Sequence, residues 1–279
     1  MTEQSTAEVF TEEIRQQARE IIERYPQPRS ALLPMLHLVQ SVEGYVSPRG
    51  VAFCAEMLGL TKAQVGAVAT FYTMYKRRPT GDWLVSVCTN TMCGVMGGNE
   101  VYQALTEYLG VGHEETTADG TITLEHAECL AACDYAPVMT VNYEFFDKVD
   151  PETALDVVRK LQNGERPMPT RGARLCTLKE ISRQLAGWAD DRDGAVAEGG
   201  PGEPTLAGAR LAAEHGVSVA GFDPNTPIGR EREPAPEKPA AAGTEKPTGE
   251  AESAAKGVTG QASESAATRS GKTRKEGGQ

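Results

Sequence analysis

The sequence predicts an α+β chain with a helical N-terminal domain, a small sheet covered by helices, and a C-terminal tail without a core. Three observations predict it. Apolar residues recur at helical spacing through about the first eighty residues. After KRRPTGD the pattern changes to short apolar runs bounded by turn residues. Beyond about residue 227 only scattered alanines remain among Gly, Glu, Ser, Lys and Pro, too little apolar surface to offset chain entropy. The expected divisions are 1–80 for the helical domain, 81–165 for the sheet domain, 166–226 for an extension with docking helices, and 227–279 for a disordered tail.

In TEEIRQQAREIIERYP, Ile14, Ala18, Ile21, Ile22 and Tyr25 share one helical face, Thr11 caps the start and Pro26 stops the run. Ser30 is the expected cap of a second helix, ALLPMLHLVQSVEG, which Gly44 ends and in which Pro34 removes a donor from the early turns. Ser47 followed by Pro48 opens a third helix, ending near Gly59. Thr61 and Gln64 form a capping box for a fourth, which carries Val65, Val68, Phe71 and Tyr72.

WLVSVC then reads as a buried strand, GGNEVYQALTEYLG as a helix with Val101, Leu105, Tyr108 and Leu109 on one face, and TITLEH as a second strand. APVMTVNY and EFFDKV form a hairpin, and Asp150 with Pro151 opens the helix PETALDVVRKLQNG, ended by Gly164. A strand-helix-strand unit followed by a hairpin and a helix is the element order of the thioredoxin-like fold. RPMPTRGAR reads as a linker and TLKEISRQLAGW as a helix with Thr177 and Glu180 as its capping box. PTLAGARLAAEHG has the pattern of an amphipathic helix able to dock on a partner.

A formal charge of -11 and the lack of a basic, aromatic-studded stripe argue against nucleic acid as a partner. No apolar stretch approaches the roughly 18 residues that cross a bilayer, and MTEQSTAEVF lacks the basic start and apolar centre of a signal peptide. The expectation is a soluble, cytoplasmic protein without direct membrane insertion. No hydrolytic constellation is found, so no catalytic residue is assigned.

Reducing cytosol favours spaced thiols as metal ligands or redox groups over structural disulfides. VCTNTMCGVMGG follows the first strand and AECLAACDYAPV the second. Loops at one end of an open sheet converge, which would bring Cys88, Cys93, Cys129 and Cys133 together as C-x4-C and C-x3-C. Four thiolates suit a two-iron two-sulfur cluster or structural zinc. Iron is favoured by the long C-x4-C loop, by Gly94, Gly97 and Gly98 after the first pair, and by apolar or small neighbours that would shield a cluster: Met92, Val95, Met96, Leu130, Ala131 and Ala132. A zinc-stabilised binding module is the alternative; a dithiol oxidoreductase is a third, lacking the C-x-x-C such enzymes place at a helix start. Cys54 and Cys176 are expected to be non-ligands, His126 a strand-end residue, His37 a helix-face residue, and Phe71, Tyr72 and Tyr75 helix packing. Glu128 and Asp134 are expected to be solvated or partner-facing.

CTNTMCGVMG with CLAACDYAPVMTVN resembles the paired motifs of the E subunit of NADH:quinone oxidoreductase, the thioredoxin-like (ferredoxin-type) subunit of respiratory complex I. ALLPMLHLVQ and TFYTMY resemble that subunit's N-terminal domain, and the resemblance spans about residues 8–165. It implies one [2Fe-2S] cluster, with Cys88 and Cys93 on one iron and Cys129 and Cys133 on the other. It also implies an electron carrier beside a flavin- and NADH-binding subunit and further iron–sulfur subunits, in the peripheral arm of a membrane-associated complex. Neither FMN nor NADH need bind this chain, which has no G-x-G-x-x-G opening a helix after a strand. NAD-reducing hydrogenases and NAD-dependent formate dehydrogenases contain similar subunits, so the parent complex stays open at this point. Ala131 stands where the family usually has glycine; if that backbone needs a positive φ, alanine is strained by roughly 1 kcal/mol.

Overall fold

Two sets of buried side chains organise the chain, one among helices and one across a sheet, in a computed structural model that describes residues 9–192, 195 and 202–217. The tail expected at 227–279 lies outside the described residues.

Helix α1 (Glu12–Glu23) buries Ala18 and Ile21, while Phe10 before it stacks on Phe53 with ring centroids 4.4 Å apart. Tyr25 falls beyond the end of α1 and is exposed, so it does not share the predicted face. Ser30 is not a helix cap. It lies inside a 3-10 turn, Pro28–Ala31, that leads into α2 (Leu32–Glu43), with Ala31 at the cap position. Pro34 explains the shift: at the third residue of α2 its missing N–H is one that a helix leaves unpaired in its first turn anyway. Helix α3 (Pro48–Leu58) starts as predicted, the Gly50 N–H donating to Ser47 Oγ at 3.0 Å. Helix α4 (Lys62–Phe71) has the reciprocal Thr61–Gln64 box.

Phe71 and Tyr72 do not pack into the helical core: Phe71 is 78% exposed. The buried residues of α4 are Val65 and Ala69, spaced i, i+4, and Phe71 lies about 200° around the helix from Ala69. Tyr75 alone of the three aromatics is buried, its hydroxyl donating to the Leu33 carbonyl at 3.1 Å.

Strands β1 (Trp83–Cys88), β2 (Glu115–Thr116), β3 (Ile122–Ala127), β4 (Val138–Val141) and β5 (Glu144–Asp147) form a sheet of order β2-β3-β1-β4-β5. Its centre is β1, buried along its whole length, because Val85 and Val87 face one helical layer while Leu84 meets Leu178 and Ile181 on the other side. β3 pairs with β1 in parallel, and the crossover between them includes α5 (Thr91–Val95) and α6 (Gly98–Leu109). β4 pairs antiparallel with β1, and β5 with β4. The two-residue edge strand β2 has no counterpart in the predicted order. Helix α7 (Pro151–Gln162) packs beside α6 on one face, where Tyr108 is half out in solvent and donates to Gln162 Oε1 at 3.0 Å.

Beyond α7 the chain stays attached. Arg171 bridges to Phe145 of β5, and Ala173 and Leu175 are buried. Helix α8 (Leu178–Leu185) docks on α2, where Gln40 Nε2 donates to Ser182 Oγ at 3.2 Å. Helix α9 (Glu203–Glu214) has no buried residue and touches the sheet domain through its first turn. No helix among the described residues is long and apolar enough to cross a membrane.

Candidate metal centre

Parallel pairing of β1 with β3 brings the two cysteine segments together. Its register sets Cys88 opposite Ala127, and the Thr89 N–H continues the ladder to the Ala127 carbonyl at 3.2 Å. Both segments therefore leave the sheet at the carboxyl ends of adjacent strands. Cys88 is the last residue of β1 rather than a loop residue, and Cys93 lies within α5. The Asn90 side chain accepts from the Thr91 N–H at 3.0 Å and donates to Glu128 Oε2 at 2.8 Å, tying the first segment to the second. Glu128 is thus exposed but engaged. Close approach of α6 requires glycine: a Cβ at Gly98 would lie 2.5 Å from the Cys88 carbonyl oxygen and 2.9 Å from that of Cys93.

Cys88 and Cys93 are buried with Ala132 and Val138, and Leu130, Tyr135 and Phe145 pack against them. Cys129 and Cys133 are exposed, with their sulfurs 3.6 Å apart. Cys133 opens a 3-10 turn, Cys133–Tyr135, followed by a cis Ala136–Pro137 peptide and β4. Between the pair, Ala131 has φ +58°, and its N–H donates to Cys129 Sγ at 3.4 Å.

The thiols sense one another across the two segments. Burial pushes the Cys93 thiol up to about 11; the Val138 backbone amide opposes this, and the neighbouring Cys88 and Cys133 sulfurs add to it. Cys133 is also raised, first by its bond to Cys129, then by the charges of Cys129 and, across the gap, Cys88. The arrangement is two pairs: among the described residues no three His, Cys, Asp or Glu side chains gather around one point.

The wrapping of the site differs from the expectation. Met92, Val95 and Met96 are 50%, 79% and 57% exposed. They recur at i, i+3 and i+4 along one face of α5 and its C-cap, Met96, while Cys93 is buried. The apolar cover comes from the expected Leu130 and Ala132 together with Val138 and Phe145 of the hairpin and Tyr135, which no local signal around the cysteines identifies. His126 stacks on His113 with ring centroids 4.0 Å apart. Cys54 and Cys176 are buried among other residues, where burial raises their thiols to about 12 and about 11. His37 is buried on the inner face of α2 against Tyr75.

Four thiols in two pairs, one pair enclosed by apolar side chains and the other receiving a backbone N–H, fit a two-iron core, which takes two sulfurs on each iron. Sheet and thiols together define an iron–sulfur protein of thioredoxin-like architecture. The chain belongs to the thioredoxin-like [2Fe-2S] ferredoxin family, whose model matches residues 18–162, just over half of it. It is similar to the E subunit of the NADH-quinone oxidoreductase of Mycobacterium bovis, with 57% identity over 202 residues that span 72% of this chain and 80% of that protein. The subunit of the same name from Rickettsia bellii is 36% identical over 149 residues, 52% of this chain and 89% of that protein. The wild-type thioredoxin-like [2Fe-2S] ferredoxin of Aquifex aeolicus overlays with a TM-score of 0.26 at 26% identity, covering 33% of this chain and 93% of that one.

Proposed function

We propose that this chain is the electron-transferring E subunit of an NADH-quinone oxidoreductase, and that Cys88 and Cys93 hold one iron of its [2Fe-2S] cluster and Cys129 and Cys133 the other. The observation that carries the reading is the Cys88–Ala127 register, which sets the two cysteine segments side by side at one end of the sheet. When bound, such a cluster takes up and gives back one electron. The residues around it act in distinct ways. Ala132, Val138 and Phe145 keep water from the first pair, and the Ala131 N–H places positive charge density on Cys129 Sγ. The raised Cys93 and Cys133 thiols hold their protons in the metal-free chain, so loading releases them.

The exposed second pair and the apolar rim of Met92, Val95 and Met96 support contact with a flavin- and NADH-binding subunit on this side. Further iron–sulfur subunits would complete the electron path, in a cytoplasmic peripheral arm. Identity of 57% to a subunit named for NADH-quinone oxidoreductase favours that complex over a hydrogenase or a formate dehydrogenase. Metal analysis of the full chain, purified without oxygen, tests the reading: about two iron and two acid-labile sulfide per chain are expected. Zinc without sulfide would overturn it.

A further inference from the structure

Residues beyond 162 lie outside the segment that the family model matches, yet they contact the second cysteine turn. Arg171 lies between two aromatic rings, its guanidinium carbon 4.6 Å from the Tyr135 centroid and 4.5 Å from that of Phe145. The same guanidinium makes two 2.7 Å bonds to the Asp147 carboxylate, whose side chain is only 7% exposed. The strap carrying Arg171 is fitted to the sheet edge: the Thr170 N–H donates to the Phe145 carbonyl at 2.9 Å, and the Asp147 N–H donates to Thr170 Oγ1 at 2.9 Å. Gly172, at φ +102°, lies where a side chain would run into the Glu144 carboxylate. At the other end of the turn, Thr205 of α9 hydrogen-bonds Asp134, and Gly202 sits against the Tyr135 hydroxyl.

Tyr135 closes the turn that begins at Cys133. Backbone bonds hold Tyr135 itself, its N–H donating to the Ala132 carbonyl at 2.9 Å and its carbonyl accepting from the Lys148 N–H at 2.9 Å, but residues 129–132 form no helix or strand and the sulfurs are exposed, so side chains add to what fixes the segment. A guanidinium is suited to the task because its plane stacks on rings while its edge forks onto a carboxylate; an ammonium cannot do both.

We propose that Arg171 is a positioning residue for the cluster, holding the Cys129–Cys133 segment through Tyr135 from a strap outside the family core. This rests on the assignment of the four cysteines as cluster ligands. The test uses the full chain, with iron loss to a chelator and, in the metal-free protein, the rate at which Cys129 and Cys133 are alkylated. Arg171→Met and Tyr135→Leu are expected to speed both by roughly tenfold, a difference of about 1.4 kcal/mol and within the range of a cation–ring contact. Tyr135→Phe keeps the ring and should match the parent protein, and Arg171→Lys should not. Because Arg171 reaches the cysteine turn through Tyr135, Arg171→Met should add nothing once the ring is gone, and the double variant Arg171→Met/Tyr135→Leu should be no faster than Tyr135→Leu alone. Rates equal to the parent in both single variants, or additive effects in the double, overturn the proposal. If Arg171→Met fails to fold, Arg171→Lys decides, since it keeps a positive charge beside the Asp147 carboxylate and loses the stacking on Tyr135: a rate equal to the parent overturns the proposal. A parent protein that binds no iron would refute the cysteine assignment, while alkylation would still judge the role of Arg171.

Discussion

Ala131 holds φ +58° between Cys129 and Cys133, and this conformation is what aims its N–H at Cys129 Sγ. An L-residue with a Cβ is strained there by about 1–2 kcal/mol. Glycine removes that strain but loses about 0.5–1 kcal/mol more chain entropy on folding. The balance predicts that Ala131→Gly stabilises the protein by about 0.5–1 kcal/mol. For a chain of this size that is a rise in melting temperature of about 1–4 °C. Valine, branched at Cβ, should act in the opposite direction and lower stability by at least about 1 kcal/mol. Both variants keep the N–H, so the visible spectrum of the loaded protein should not change. Thermal melts of the three proteins, followed by circular dichroism and by cluster absorbance, read the effect. An Ala131→Gly protein that melts at or below the parent would refute the strain argument.

Other predictions rest on burial. His37 is buried, its Nδ1 has no partner, and burial lowers its pKa from 6.5 to about 4. The unfolded chain therefore takes up a proton that the folded one refuses: stability is full above about pH 6.5 and falls as pH drops towards 4, by up to about 3 kcal/mol. Denaturant unfolding of the metal-free chain at pH 7 and pH 5 should show this loss, and His37→Leu should flatten it. At Gly98 a methyl group would press on the backbone carbonyls of both Cys88 and Cys93. Gly98→Ala should destabilise the protein by about 1–3 kcal/mol and lower iron content, measured by melting and metal analysis.

Much of the architecture was legible because its signals are local. The Ser47, Thr61 and Thr177 caps and the Asp150–Pro151 start each satisfy free N–H groups within one turn, and each appears in the structure. The cysteine pairs were legible because each lies at or just beyond the end of a strand, and parallel strands deliver their outgoing segments to the same end of the sheet. The features that escaped depend on packing between distant segments. Phe71 and Tyr72 look like core residues by composition, but the phase of α4 is set by Val65 and Ala69. Met92, Val95 and Met96 adjoin the cysteines in sequence, but a five-residue helix turns them outward. RPMPTRGAR has linker composition, and only the β5 edge and the carboxylates of Glu144 and Asp147 make it a strap. Ser30 was misplaced because Pro34 sets the helix start more closely than a nearby hydroxyl does.

Electron paramagnetic resonance of the full chain and its cysteine-to-serine variants addresses the metal centre most directly. The parent protein should be silent when oxidised and show about one unpaired spin per chain after reduction. Serine at Cys88, Cys93, Cys129 or Cys133 should each abolish or reshape that signal, while serine at Cys54 or Cys176 leaves it intact. A parent-like signal surviving the loss of any one of the four thiols would contradict the account.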